Sequence, residues 1–140
     1  MVQNITKSDQ VHRHCANTRT GKAGNRFVPL ASSPDMQVVG MVVNVVALAF
    51  GITPGALRSR RRGAADVALA RQIAMYLLHC TCGLTLTETA AVFRRDRTTA
   101  AYGCKRVEDM REDTQFDWRV DHIERAVGAF RKSITTGRIA

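Results

Sequence analysis

The sequence predicts an all-α fold of about six helices that contains a helix-turn-helix, and three observations predict it. From residue 33 onward, apolar residues recur at spacings of three and four rather than two. Capping residues stand before the periodic stretches, and glycine or proline stands between them. Two of those stretches, 85–93 and 96–112, are joined by only a tight turn. No internal repeat and no strand is read.

Residues 1–32 are polar and carry Lys7, Arg13, Arg19, Lys22 and Arg26 against one acid, Asp9. They read as a flexible basic arm, either an ordinary disordered tail or one that tracks a DNA backbone. Order is expected to begin at Ser33-Pro34-Asp35, where Ser caps, Pro suits the first turn and Asp complements the helix dipole. The first helix turns Val38, Met41, Val42, Val45, Val46 and Ala49 inward and stops at Gly51. Its β-branched content would also suit a strand, but its length and its capped start favour a helix. Thr53-Pro54-Gly55 opens a second helix of at most about two turns, ending at Leu57.

Arg58-Ser59-Arg60-Arg61-Arg62-Gly63 then forms a basic loop. A third helix is expected from about Asp66 to His79, with Val67, Ala70, Ile73, Ala74 and Leu77 on one stripe, broken by Gly83. Thr85-Leu86-Thr87-Glu88 has the form of a capping box. The short helix it opens, with Leu86, Ala90 and Phe93 inward, ends at Arg94-Arg95. Asp96 is the expected N-cap of the next. The last helix spans about Asp117 to Ser133, with Val120, Ile123, Val127 and Phe130 inward and Trp118 anchoring its start. One domain over 33–134, with a tail at 135–140, follows.

Charge narrows the function. The 140 residues hold 21 Lys and Arg against 12 Asp and Glu, a net +9. Such an excess favours a polyanionic partner, nucleic acid being the commonest, although a merely soluble basic protein would share it. The chain opens MVQNITKSDQ, with no secretory pattern, so a cytoplasmic, nucleoid-associated protein is expected. Cys15, Cys80, Cys82 and Cys104 are then expected as free thiols. His12, His14 and Cys15 lie close together, but Cys80 and Cys82 are spaced too tightly for the usual zinc knuckle. No metal or cofactor is expected.

The stretch Val38 to Ile52 falls short of the roughly 20 apolar residues of a membrane span, so no membrane partner is expected. No G-x-x-x-x-G-K-[ST] motif occurs, and Gly21-Lys22 is followed by Ala23, so no nucleotide is expected either. His79, Cys80 and Cys82 are the one nucleophile–base cluster and lack an orienting partner. The chain is not expected to be an enzyme.

The constellation that carries function is the pair of helices at 85–93 and 96–112. In such a pair the second helix lays its N-terminal residues into the major groove, so that end should be polar and basic. Here it reads Arg94-Arg95-Asp96-Arg97-Thr98-Thr99, with Tyr102, Lys105 and Arg106 one and two turns on. Acidic residues gather only later, at Glu108, Asp109, Glu112 and Asp113. A run such as Arg-Arg-Asp-Arg is more often a solvated helix start; its place at the head of a second helix turns the reading toward duplex DNA.

Phe93 to Ala100, followed by Cys104-Lys105-Arg106-Val107-Glu108, resembles the signature of the C-terminal duplex-DNA-binding domain of the bacterial replication initiator DnaA. The likeness extends to Ala70-Arg71-Gln72-Ile73-Ala74-Met75, to the basic loop, and over roughly residues 35–130. The resemblance implies the Trp-repressor-like all-α fold of that domain. It also implies base readers at Asp96, Arg97 and Thr98, with Thr99 behind them, and a minor-groove loop at Arg60, Arg61 and Arg62. Arg71 and Gln72 would touch DNA from the third helix. With Arg58, Thr87, Arg94, Arg95, Tyr102, Lys105 and Arg106 these residues make up the expected DNA-binding set. Two departures stand out: Arg94 replaces the family's glycine in a turn one residue shorter, and Arg97 replaces its histidine. The expected function is sequence-specific binding of double-stranded DNA in transcription control, of the kind seen in activators of prophage-like or gene-transfer-agent genes. The alternatives are occupancy of initiator boxes at a replication origin and an adaptor contacting RNA polymerase or a second regulatory protein through the last helix.

Overall fold

The structure is a computed structural model that describes residues 34–61 and 63–135. The expected N-terminal arm, the His12, His14 and Cys15 group, and Ser33 lie outside the described residues, as does Arg62. The described chain forms α1 (Pro34–Phe50), α2 (Pro54–Arg58), α3 (Ala65–Tyr76), α4 (Leu86–Val92), α5 (Arg97–Met110) and α6 (Thr114–Thr135). There are no strands among the described residues.

Local chemistry explains the boundaries. Thr53 caps α2, its hydroxyl accepting from the Ala56 amide at 3.2 Å. The expected capping box at α4 is formed: the Thr85 hydroxyl accepts from the Glu88 amide at 3.1 Å, and the Glu88 carboxylate accepts from the Thr85 amide at 2.8 Å. Asp96 holds the N-cap position of α5, but its carboxylate makes no capping bond there. The third helix does not continue regularly to His79: after Tyr76 the backbone widens into a π-turn over Leu77–Thr81. The last helix begins three residues earlier than expected, because the Asp113 carboxylate accepts from the Phe116 amide at 2.9 Å and caps it.

α3 is the central element, packed against α1, α2 and α5, while α6 lies along α1. Their shared core holds Val39, Val42, Val43, Val46, Ile73, Tyr76, Leu77, Phe93, Val107, Val120 and Val127. At roughly 1.5–3 kcal/mol per fully buried large apolar side chain, this core rather than helix propensity supports the fold. Three expectations about it need correction. The inward face of α1 is rotated, so Val39, Val43 and Ala47 are buried while Ala49 is exposed. In a helix this rich in valine, composition does not single out one face. Trp118 does not anchor α6; it is 61% exposed and lies against the His122 ring at 4.3 Å between centroids. Phe130 is also exposed, on a side of α6 turned from the core, although the next residue, Arg131, still reaches the Thr81 carbonyl at 2.7 Å.

Two contacts fix α5 relative to α3. Gly103 is buried against α3, where an added Cβ would meet Gln72 Cγ at 3.4 Å and Met75 Sδ at 3.5 Å. Just beyond the end of α5, buried Arg111 donates to Asp117 at 2.6 Å and to the Tyr76 hydroxyl and Glu124, each at 3.1 Å. Thr81 of the π-turn donates to the other Glu124 oxygen at 3.1 Å. One polar network therefore ties α3, α5 and α6, and its charge is paired and hydrogen-bonded as a buried charge must be.

Candidate nucleic-acid interface

α4 and α5 form the helix-turn-helix, and the turn between them is closed by its own backbone. The Arg95 amide donates to the Ala90 carbonyl at 2.9 Å and the Arg94 amide to the Ala91 carbonyl at 3.2 Å. This is the Schellman pattern, which needs a left-handed residue in its middle. Arg94 takes that role with φ +52°. Phe93, fully buried, holds the turn against the core. The start of α5 is thereby displayed outward: Asp96, Arg97, Thr98 and Thr99 are all exposed, as are Tyr102, Lys105 and Arg106.

The basic loop lies beside this turn and is held there by two arginines. Arg71, on α3 and only 6% exposed, donates to the Leu57 carbonyl at 2.8 Å and the Ala56 carbonyl at 3.2 Å. Its far nitrogen also reaches the Ser59 and Arg61 carbonyls, each at 3.4 Å. Arg95, half-buried, donates to the Ser59 carbonyl at 3.2 Å and the Arg61 carbonyl at 3.3 Å. Burial, and then the neighbouring Arg95 charge, push the Arg71 guanidinium below its usual range. Five donors in a fixed fork let an arginine gather several carbonyls that a lysine could not span.

The expected DNA-binding residues therefore divide. Arg58, Arg60, Arg61, Thr87, Arg94, Asp96, Arg97, Thr98, Thr99, Tyr102, Lys105 and Arg106 are exposed. Arg71 faces inward and holds the loop, and half-buried Gln72 packs near Gly103. Arg95 is largely engaged with the loop carbonyls. Ser59 was passed over in the sequence, yet its hydroxyl accepts from the Arg61 amide at 3.2 Å and its carbonyl receives both arginines. A serine two residues before a turn amide is the available signal.

The electrostatics are one-sided. Among the described residues, the side chains of Arg58, Arg60, Arg61, Arg94, Arg97, Lys105 and Arg106 make no ion pair or hydrogen bond. Elsewhere Arg111 and Arg125 pair with acids and Arg131 donates to the Thr81 carbonyl at 2.7 Å. The acids Asp109, Glu112 and Asp113 sit at the far end of α5, roughly 20 Å from Arg97 at 1.5 Å per residue. That separation exceeds the Debye length of about 8 Å at physiological salt, so they do not neutralise Arg97 at the head of the helix, although Asp109 lies within about one turn of Lys105 and Arg106.

The His79 ring Nδ1 lies 2.7 Å from the Leu84 carbonyl, and burial pushes the Cys82 thiol up, away from the thiolate a nucleophile needs. Cys82 and Cys104 are free, whereas Cys80 is disulfide-bonded, against the expectation of free thiols. No group of three or more His, Cys, Asp or Glu placed to hold a metal occurs among the described residues. No described helix is long and apolar enough to cross a membrane.

With this geometry in place, the chain can be set beside known proteins. Residues 39–107 match the family described as bacterial dnaA protein helix-turn-helix. Over 94 residues the chain is 32% identical to the chromosomal replication initiator protein DnaA of Lachnoclostridium phytofermentans, covering 64% of this chain and 20% of that protein. The chain thus spans about a fifth of the length of the relative it matches.

Proposed function

The chain belongs, through residues 39–107, to the bacterial DnaA helix-turn-helix family, and from that premise we propose that it binds double-stranded DNA at specific sequences to regulate transcription. The observation that carries this reading is the gathering of exposed cations, without partners among the described residues, along α5 and on the adjoining loop. Arg58, Arg60, Arg61, Lys105 and Arg106 supply the phosphate contacts that give affinity, and Arg62 extends the same basic loop in sequence. Asp96, Arg97 and Thr98 present their side chains to base edges in the major groove. Arg71 and Gln72 act from behind: one holds the loop, the other supports α5.

These 140 residues carry no phosphate-binding loop motif, so the activity they support is occupancy of a site. Occupancy serves transcription when the site lies in a promoter. A second reading, occupancy of initiator boxes at an origin, is favoured by the replication initiator among the relatives. A protein partner such as RNA polymerase, or a second regulator, would have the exposed Trp118 and Phe130 of α6 to contact. Selection of bound duplexes from a random pool tests the central claim, with an enriched motif expected and an unenriched pool overturning sequence specificity. Chromosome-wide occupancy then separates promoters from the origin.

A further inference from the structure

The same turn occurs twice in this chain with different residues at its left-handed position. After α1, the Gly51 amide donates to the Leu48 carbonyl at 3.2 Å and the Ile52 amide to the Ala47 carbonyl at 2.9 Å. After α4, Arg94 and Arg95 repeat both bonds at the same two distances. Gly51 has φ +64° and Arg94 φ +52°. The other described residues with positive φ, Gly63 and Gly83, are glycines as well. Arg94 alone among the described residues carries a side chain into a conformation that L-residues rarely adopt.

No side-chain contact among the described residues compensates for that strain. The Arg94 side chain is exposed and makes no hydrogen bond or ion pair among the described residues. A glycine would close the turn equally well, as it does after α1. Arg94 stands three residues before Arg97, and its neighbour Arg95 is the residue tied to the basic loop. A strained residue that persists without local reward is best explained by what its side chain does in a complex.

We infer that Arg94 is a phosphate ligand of the DNA backbone, seated in the turn at the expense of stability in the free protein. The inference rests on the proposed duplex-binding function and adds to it a residue whose contact is independent of base sequence. The guanidinium, always charged and forked, suits a phosphate better than a base edge at this position, because the turn precedes the helix that enters the groove. It fixes how α5 is seated rather than which sequence is preferred.

The test uses the full chain, a labelled duplex of arbitrary sequence, and the variants Arg94→Gly, Arg94→Asn and Arg94→Lys. Glycine and asparagine both accept the left-handed turn, so Arg94→Gly and Arg94→Asn should melt at or above the wild-type temperature. Their slope of log affinity against log salt should be shallower by about 0.9, which amounts to about an eight-fold loss at 0.1 M salt when carried over the decade below 1 M. Arg94→Lys, which keeps charge and strain, should retain most of the slope. An unchanged slope in Arg94→Gly and Arg94→Asn, while Arg60→Ala and Arg61→Ala still reduce it, overturns the role of Arg94 and leaves duplex binding standing. A lower melting temperature in both Arg94→Gly and Arg94→Asn overturns it as well, since the arginine would then serve the free fold. If the wild-type chain shows no salt-dependent duplex binding, the functional reading itself fails, and the inference falls with it.

Discussion

Arg71 and Arg95 donate to the same two backbone carbonyls, those of Ser59 and Arg61. One arginine comes from the central helix and the other from the turn of the helix-turn-helix. Two like charges converge because the carbonyl dipoles between them accept from both. The consequence is geometric: the basic loop and the head of α5, the two surfaces expected on DNA, are set relative to each other before any duplex arrives. Loops tied in this way lose less conformational entropy on binding than free ones.

Arg71 therefore acts on DNA at one remove. Arg71→Lys keeps a charge but loses the fork, leaving the Leu57 and Ala56 carbonyls short of donors. It should lower stability by about 1–3 kcal/mol and weaken duplex binding together with it. Denaturant titration and binding of the same preparation check this. Weakened binding at full stability would restore a direct contact between Arg71 and DNA.

The loop supplies charge rather than architecture. Replacing Arg60, Arg61 and Arg62 together by Ala should leave the melting temperature near wild type, because the side chains of Arg60 and Arg61 are exposed and without partners among the described residues. The salt slope should fall by up to roughly 0.9 for each phosphate contact removed. A larger loss on A/T-rich flanks would mark insertion into a narrow minor groove. An unchanged slope would remove the loop from the interface.

Thr85→Ala removes one half of the capping box seen at 3.1 and 2.8 Å. The expected loss is about 1 kcal/mol of stability, read by thermal or urea unfolding. The preferred duplex sequence should not change, because α4 braces the recognition helix without carrying its readers.

Much of this was legible in the sequence, for physical reasons that also mark where legibility ends. Capping leaves a signature in residue types, so Thr53 and the box at Thr85 and Glu88 could be read directly. Asp113 has the same chemistry but sits in an acidic run that closes α5, and its role as the cap of α6 was hidden there. A π-turn adds one residue per turn without changing composition, so Leu77–Thr81 looked like plain helix. The head of α5 was recognisable because exposed cations at a helix start have no packing role. The inward packing of Arg71 was not legible, because burial is a property of the assembled fold: an arginine on a helix looks the same in sequence whether it faces DNA or carbonyls.

Burial, and then the nearby Glu108 charge, push the Cys104 thiol up to about 12. In the unfolded chain a thiol ionises near 8.5 (roughly). Between those values the unfolded form loses its proton while the native form keeps it, so stability is intact below pH ~8.5 and falls as pH rises toward 12. Tyr76, raised chiefly by burial, adds to the decline in the same direction at the alkaline end. Cys104→Ala should flatten the decline in urea midpoints between pH 9 and pH 11 (approximately). In the wild type, alkylation of Cys104 at about pH 8 should proceed only as fast as the protein opens. Rapid alkylation of the folded protein would show the thiol to be accessible and the burial argument to be wrong.

Arg97 carries the sharpest expectation about specificity. It is exposed in the first turn of α5 and has no partner among the described residues. Asp96, just before it, makes no capping bond, so its carboxylate is left to accept from a cytosine amino group or to orient the Arg97 guanidinium. A guanidinium fork fits the O6 and N7 acceptors of guanine together, whereas the histidine at the matching family position would offer one bond at a time. The selected motif should therefore contain a guanine that Arg97 reads. Arg97→Ala should cost about 1–3 kcal/mol on that motif. On scrambled duplex the loss should be much smaller, because base contacts carry discrimination and phosphate contacts carry the background. Wild type and Arg97→Ala, compared on both duplexes at one salt concentration, decide between the two roles: equal losses on the two would make Arg97 a phosphate ligand instead.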